Sequence, residues 1–161
     1  MPTIHQKIKT FLWFNDQAEE AARFYTSVFD TGRIVRIARY NGATPDKEGA
    51  VMLVTFELAG QTFIALNGGF DIPFDDAVSL LVECDSQAEI DTLWSRLTDG
   101  GEERPCGWLR DRFGLSWQIA PTRLLELVTN DDPETAATAM RAMFDMKKIV
   151  IADIERAVNA Q

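Results

Sequence analysis

The feature that most restricts what this chain can fold into is an internal repetition. "QAEEAARF", beginning at Gln17, is echoed 70 residues later by "QAEIDTLW", beginning at Gln87, and each places an aromatic seven residues on, at Phe24 and Trp94. Both read as amphipathic helices. Asp16 with Glu19, and Ser86 with Glu89, have the spacing of capping boxes. "DTG" (Asp30 to Gly32) and "DGG" (Asp99 to Gly101) end them with glycine free to take the left-handed conformation. A unit repeated at fixed spacing is one supersecondary motif used twice, so the fold is expected to be a duplication.

The flanks extend the repeat. "KIKTFLWF" (Lys7 to Phe14) and "AVSLLVEC" (Ala77 to Cys84) precede the two helices with the β-branched and aromatic content of strands. After the first helix come "RIVRIARY" (Arg33 to Tyr40), "AVMLVTFEL" (Ala50 to Leu58) and "TFIALN" (Thr62 to Asn67). After the second come a short strand near Glu102 to Cys106, "WLRD" (Trp108 to Asp111) and "LSWQIA" (Leu115 to Ala120). The order is βαβββ, twice, which places the chain in the α+β class. Beyond Pro121 the pattern turns helical, with Asp132 as an N-cap and Pro133 at the first helical position. With 161 residues and 46% hydrophobic content the chain is expected to form a single domain, 1–161. Within it lie a module at about 7–67, a second at about 77–120 and a helical appendage at 122–161.

Composition removes several function classes. A formal charge of −9, spread along the chain, repels phosphate backbones, so nucleic acid is not an expected partner. No apolar run approaches the roughly 20 residues of a membrane span, and the N-terminus lacks a signal-peptide core, so no membrane association and a cytoplasmic location are expected. The two cysteines, Cys84 and Cys106, read as reduced thiols, Cys84 in the core and Cys106 as a small residue at a strand edge. Cys106 has no histidine nearby to activate it as a nucleophile.

In "FGLSWQIAP" (Phe113 to Pro121), alternation puts Leu115, Trp117 and Ile119 on one face and Ser116, Gln118 and Ala120 on the other. The first face is core. The second is either solvated or the lining of a cavity, where Gln118 would be directed at a ligand.

A duplicated βαβββ unit resembles the vicinal oxygen chelate superfamily of glyoxalase I, extradiol dioxygenases and bleomycin-resistance proteins. Over about Ile8 to Pro121, the segments "FLWFNDQAEEAARFYTSVF", "FIALNGG", "SLLVECDSQAEIDTLWSRL" and "CGWLRDRFGLSWQIAP" resemble its PhnB-like branch. The resemblance implies two modules curling into an incomplete barrel, with helices on the convex side and a cavity on the concave side that Gln118 would face. It also implies a homodimer, to which the tail would offer Met140, Met143, Ile149, Ile151 and Val158.

Metal-dependent members of the superfamily take ligands from the first and last strand of each module. By that resemblance the positions fall on Lys9 or Thr10 depending on register, on Ala65, on Ser79 and on Gln118. A hydroxyl, a methyl and an amide do not replace the imidazole and carboxylate ligands that first-row divalent ions want, so no metal and no cofactor are expected. The sole histidine, His5, lies about 13 Å along the strand from Lys9. Many members carry the label 3-demethylubiquinone 3-methyltransferase. The first strand-to-helix junction, "FNDQAEEA", has none of the glycines that commonly hold a methyl donor.

The expected ligand-binding residues are Lys9, Phe11, Trp13, Asn67, Ser79, Trp108 and Gln118, with Phe63, Leu81 and Ser116 completing the lining. Such a surface suits a small, partly aromatic or amphipathic molecule, and Lys9 would pair with an acidic substituent. The leading reading is a metal-free small-molecule binding protein, like resistance proteins that sequester a ligand without turning it over. The alternative is a small-metabolite enzyme of the superfamily, of isomerase, lyase or dioxygenase type or the methyltransferase of the label, using acid-base groups such as Lys9 and Glu83. No catalytic residue is identified.

Overall fold

A computed structural model describes residues 6–160, so His5 lies outside the described residues. The chain divides into two compact units, one up to Pro73 and one from Phe74.

In the first unit, strand β1 (Thr10–Phe14) leads into helix α1 (Ala18–Val28), followed by β2 (Arg33–Arg39), β3 (Val51–Leu58) and β4 (Gln61–Asn67). The sheet order is β1-β4-β3-β2, with β1 parallel to β4 and the other neighbours antiparallel. The second unit repeats it: β5 (Leu80–Cys84), α2 (Gln87–Thr98), β6 (Glu102–Glu103), β7 (Trp108–Arg110) and β8 (Ser116–Pro121) form a sheet of order β5-β8-β7-β6, again with the first strand parallel to the last. The duplication is therefore one of topology as well as of sequence, and neither sheet closes into a barrel.

Each helix buries one stripe on its own sheet. Ala18, Ala21, Ala22, Tyr25 and Val28 follow the 3.6-residue period and are buried, the alanines letting α1 approach closely. Beneath them lie Leu12, Phe14, Val54, Phe56, Phe63 and Ala65, with Phe56 and Phe63 stacked at 5.3 Å. On α2, Ile90, Leu93, Trp94 and Leu97 are buried, as are Leu109, Trp117 and Ile119 of the sheet. Each large apolar side chain so placed contributes about 1.5 to 3 kcal/mol.

Helices α3 (Thr122–Val128), α4 (Pro133–Phe144) and α5 (Ile151–Asn159) complete the second unit. Leu124, Leu127, Ala139, Ile149 and Ile154 form a core with Ala120, against which Met143 and Val158 pack. Gln87 clasps the segment before α5: its Nε2 donates to the Ile149 carbonyl at 3.0 Å and its Oε1 accepts from the Ile151 N–H at 2.9 Å. Ile149, Met143 and Val158 are thus used within their own chain; Met140 and Phe144, one turn apart on α4, remain exposed. Among the described residues no helix is long and apolar enough to cross a membrane.

Three local expectations need correcting. Asp16 does not cap α1; the N-cap is Gln17 without a side-chain bond, and the Ala18 N–H is satisfied instead by Asn67 Oδ1 at 2.8 Å. Gly32 is needed for close approach, since a Cβ there would strike the Thr26 backbone, whereas Gly100 does take the left-handed conformation at φ +76°. Cys106 sits in a 3₁₀ turn, Pro105–Gly107, at φ +64°, rather than at a strand edge. Elsewhere the N-cap residues are as the spacing predicts: Ser86 Oγ accepts from the Glu89 N–H and Asp132 caps α4 ahead of Pro133, although Glu89 Oε2 reaches back to the N–H of Asp85, the residue before the cap, rather than to that of Ser86.

Candidate functional site

With one face of each sheet covered by its helix, chemistry is left to the other face. In the first unit β1 begins at Thr10, which shares a face with buried Leu12 and Phe14, so the open face carries Phe11 and Trp13, and Lys9 by parity just ahead of the strand. Phe11 is 55% exposed and Lys9 is exposed. Trp13 lies over Gly68, where a Cβ would overlap its ring, and its indole donates to the Phe70 carbonyl at 2.8 Å. That indole therefore fastens the segment after β4.

Asn67, Phe63 and Ala65 fall on the helix-covered face instead. The register pairs Leu12 with Ala65 and Phe14 with Asn67, and Asn67 is committed at both ends of its amide, to Ala18 N–H and to the Val51 carbonyl. On the open face the neighbours of Ala65 are Ile64 and Leu66, neither of which ligates a metal.

The second unit gathers the remaining expected residues. Cross-strand register aligns Leu81, Gln118 and Trp108 in one row and Ser116 with Arg110 in the next. Gln118, half-buried, donates from Nε2 to the Ser79 hydroxyl at 2.9 Å. Its Oε1 accepts no hydrogen bond from the described residues. The indole N–H groups of Trp13, Trp94 and Trp117 are bonded to Phe70, Glu103 and Asp111, whereas that of Trp108 has no partner among the described residues. Trp117, Leu115 and Ile119 are core, as alternation predicts, while Ser116 and Ala120 are buried on the opposite face rather than solvated.

Beside this row stands a polar cluster that the sequence did not reveal. Arg110 grips Asp76 with Nε (3.1 Å) and Nη2 (2.8 Å), Arg104 Nη1 reaches it at 2.7 Å, and the Ser116 hydroxyl donates to it. These bonds, Arg110 first, hold the Asp76 carboxyl well below the usual carboxylate range. A second carboxylate, Asp111, is buried and shapes the turn before β8: Oδ1 accepts from the N–H groups of Phe113 and Leu115, Oδ2 from Trp117 Nε1.

The residues at the positions where the resemblance to metal-dependent members would put ligands are poor donors for a divalent ion. Lys9 is a cation, Thr10 and Ala65 lie on the covered face, and Ser79 and Gln118 offer a neutral hydroxyl and amide already bonded to each other. Such a donor set does not fit a first-row divalent ion. Among the described residues no three His, Cys, Asp or Glu side chains stand close enough to hold one. A methyl donor fits no better: the β1–α1 junction holds no glycine, and the space at Gly68 and Gly69 is taken by Trp13 and Lys47. Lys9 and Glu83, considered as an acid-base pair, belong to different units and are both exposed.

Comparison with known proteins gives one consistent answer. Residues 6–120 match the family described as 3-demethylubiquinone-9 3-methyltransferase. A PhnB protein from Bacillus cereus, titled a putative 3-demethylubiquinone-9 3-methyltransferase, is 42% identical over 71% of this chain and 98% of its own, with a TM-score of 0.63. A Pseudomonas aeruginosa protein (20% identity, 73% and 98% coverage, TM-score 0.61) and the fosfomycin resistance protein FosX from Mesorhizobium loti (16%, 73% and 91%, TM-score 0.52) share the fold. No curated protein matches significantly. With the family profile spanning most of the chain and a close relative covered almost end to end, the chain belongs to the 3-demethylubiquinone-9 3-methyltransferase family, the PhnB-like branch of the vicinal oxygen chelate fold.

Proposed function

We propose that the protein binds a small, partly aromatic molecule on the open face of its second sheet, without a metal. The observation that carries this reading is the register pairing of Trp108 with Gln118 in adjacent strands, both half-buried, whose indole N–H and amide oxygen carry no hydrogen bond among the described residues. Half-buried polar groups left without protein partners are what a ligand can satisfy, and the indole adds a flat apolar surface. Ser79, Leu81 and Gln118 complete the recognition surface. On the open face of the first unit, taken by itself, Phe11, Trp13 and Lys9 are proposed as ligand-contacting residues, whereas Asn67 contributes by capping α1. The setting proposed is the cytoplasm, with neither nucleic acid nor membrane as partner, and the working form a homodimer, for which Met140 and Phe144 supply exposed apolar surface. Sedimentation is expected to give twice the 18.1 kDa chain mass; the single-chain mass alone at micromolar concentration would overturn the dimer.

Screening a library of small aromatic metabolites by thermal shift tests the binding. Compounds that raise the melting temperature are expected to quench Trp108 fluorescence, seen as a difference between the wild type and Trp108→Phe. Hits whose binding is indifferent to both Trp108→Phe and Gln118→Leu would overturn the site.

A further inference from the structure

The row Leu81, Gln118, Trp108 extends one residue beyond the ladder. Arg104, just past β6, donates its backbone N–H to the Trp108 carbonyl at 2.9 Å and so stands next in line. With neighbouring strands about 4.8 Å apart, Gln118 and Arg104 bracket Trp108 across roughly 10 Å, the length of a small substituted ring.

The two arginines on Asp76 are used differently. Arg110 spends the Nε–Nη2 edge of its guanidinium, the one shaped to match two oxygens, on the two oxygens of Asp76. Arg104 gives Asp76 only Nη1, and its own Nε–Nη2 edge carries no hydrogen bond among the described residues. One carboxylate thus serves two guanidinium groups. Glu102 and Asp75 also act on Arg110, but both are exposed and their charges are screened by water. A planar fork left open on the residue paired with Trp108, whose indole N–H has no partner among the described residues, suits an oxyanion.

We infer that Arg104 anchors the oxyanion of the ligand, whose class is therefore a small aromatic acid, with a carboxylate or phosphoryl group at Arg104, its ring against Trp108 and its far end toward Gln118 and Ser79. This rests on the binding face proposed above.

Titrating benzoate, phenylphosphonate and neutral benzamide into the full-length protein, with the arginine Nε–H and tryptophan indole N–H resonances followed by NMR, tests it. Both anions are expected to shift Arg104 Nε and Trp108 Nε1, and the ratio of their affinities separates a carboxylate site from a phosphoryl site. Arg104→Gln is expected to weaken the anions about tenfold or more while changing benzamide less than about twofold. Arg104→Lys, which keeps the charge without the fork, should recover only part of the loss. Arg104→Gln leaves Asp76 bonded to Arg110 and Ser116, so the fold is expected to persist, and the wild-type comparison of anion with amide needs no variant. Anions that bind no tighter than benzamide, or that ignore Arg104→Gln while benzamide still moves Trp108, overturn the inference and leave the binding face standing. No response of Trp108 to any of the three overturns both.

Discussion

Gln118 Nε2 donates to the Ser79 hydroxyl across 2.9 Å, tying the last strand of the second sheet to the residue just ahead of its parallel neighbour. In metal-dependent members of the fold these two positions would carry ligands. Here they satisfy one another and leave Gln118 Oε1 and the Ser79 O–H for a partner.

Gln118→Leu should therefore leave folding nearly intact, since the side chain is half-buried. It should cost about 1 to 3 kcal/mol of affinity for a compound selected by thermal shift. Unchanged affinity by isothermal titration would make Gln118 a bystander.

The same pairing bears on metals. Protein purified without chelators is expected to carry no stoichiometric zinc, nickel, manganese or iron by plasma mass spectrometry. Gln118→Glu should not create tight metal binding, because Ala65 is buried on the helix side and Ser79 stays neutral. One equivalent of metal, lost with Gln118→Ala, would count against this.

How much of this was legible beforehand depended on which residues obeyed a simple period. β8 alternates large apolar with small or polar side chains, so its faces separate on sight and Gln118 could be assigned to the face away from Trp117, whereas Ser79 was reached only through the family resemblance. In "TFIALN" both faces are apolar, so parity alone could not decide that Phe63, Ala65 and Asn67 lie under α1. The Asp76 cluster was invisible for another reason: Asp76 belongs to an irregular segment without periodicity, and its partners lie 28, 34 and 40 residues away. The cap of α1 was misread likewise, because Asn67 reaches it from 49 residues away.

Asp111 should be the costliest single carboxylate to lose. It is 3% exposed and accepts three hydrogen bonds that fix the turn and Trp117. Asp111→Ala is expected to destabilise by about 3 kcal/mol or more, read as a lower urea midpoint, through buried donors left unpaired. A change under about 0.5 kcal/mol would show that the turn does not depend on it.

Cys84 should resist thiol reagents in the native protein. Burial foremost, then Glu89 and Asp85, push its thiol up to about 12, so almost no thiolate exists at neutral pH. Iodoacetamide is expected to modify Cys84 only after unfolding, with Cys106, half-buried in its turn, reacting first. Peptide mapping that found Cys84 labelled as fast as Cys106 would contradict the packing described.

Asp76 carries a pH signature whose sign follows from its partners. Hydrogen bonds from Arg110 and Ser116 and the charge of Arg104 stabilise the carboxylate, so its folded pKa lies below the ordinary 3.8. A depressed folded value means that its contribution is fully present above the unfolded pKa, and is lost as pH falls through that value toward the folded one. The arginines stay charged throughout, so among Asp76, Arg104, Arg110 and Ser116 only the Asp76 carboxyl titrates in this window. At neutral pH Asp76→Asn should be less stable than the wild type in urea, and that gap should narrow steadily below about pH 4. A gap that held constant from neutrality into acid would show that the aspartate acts by shape alone and that the two guanidinium groups gain nothing from its charge.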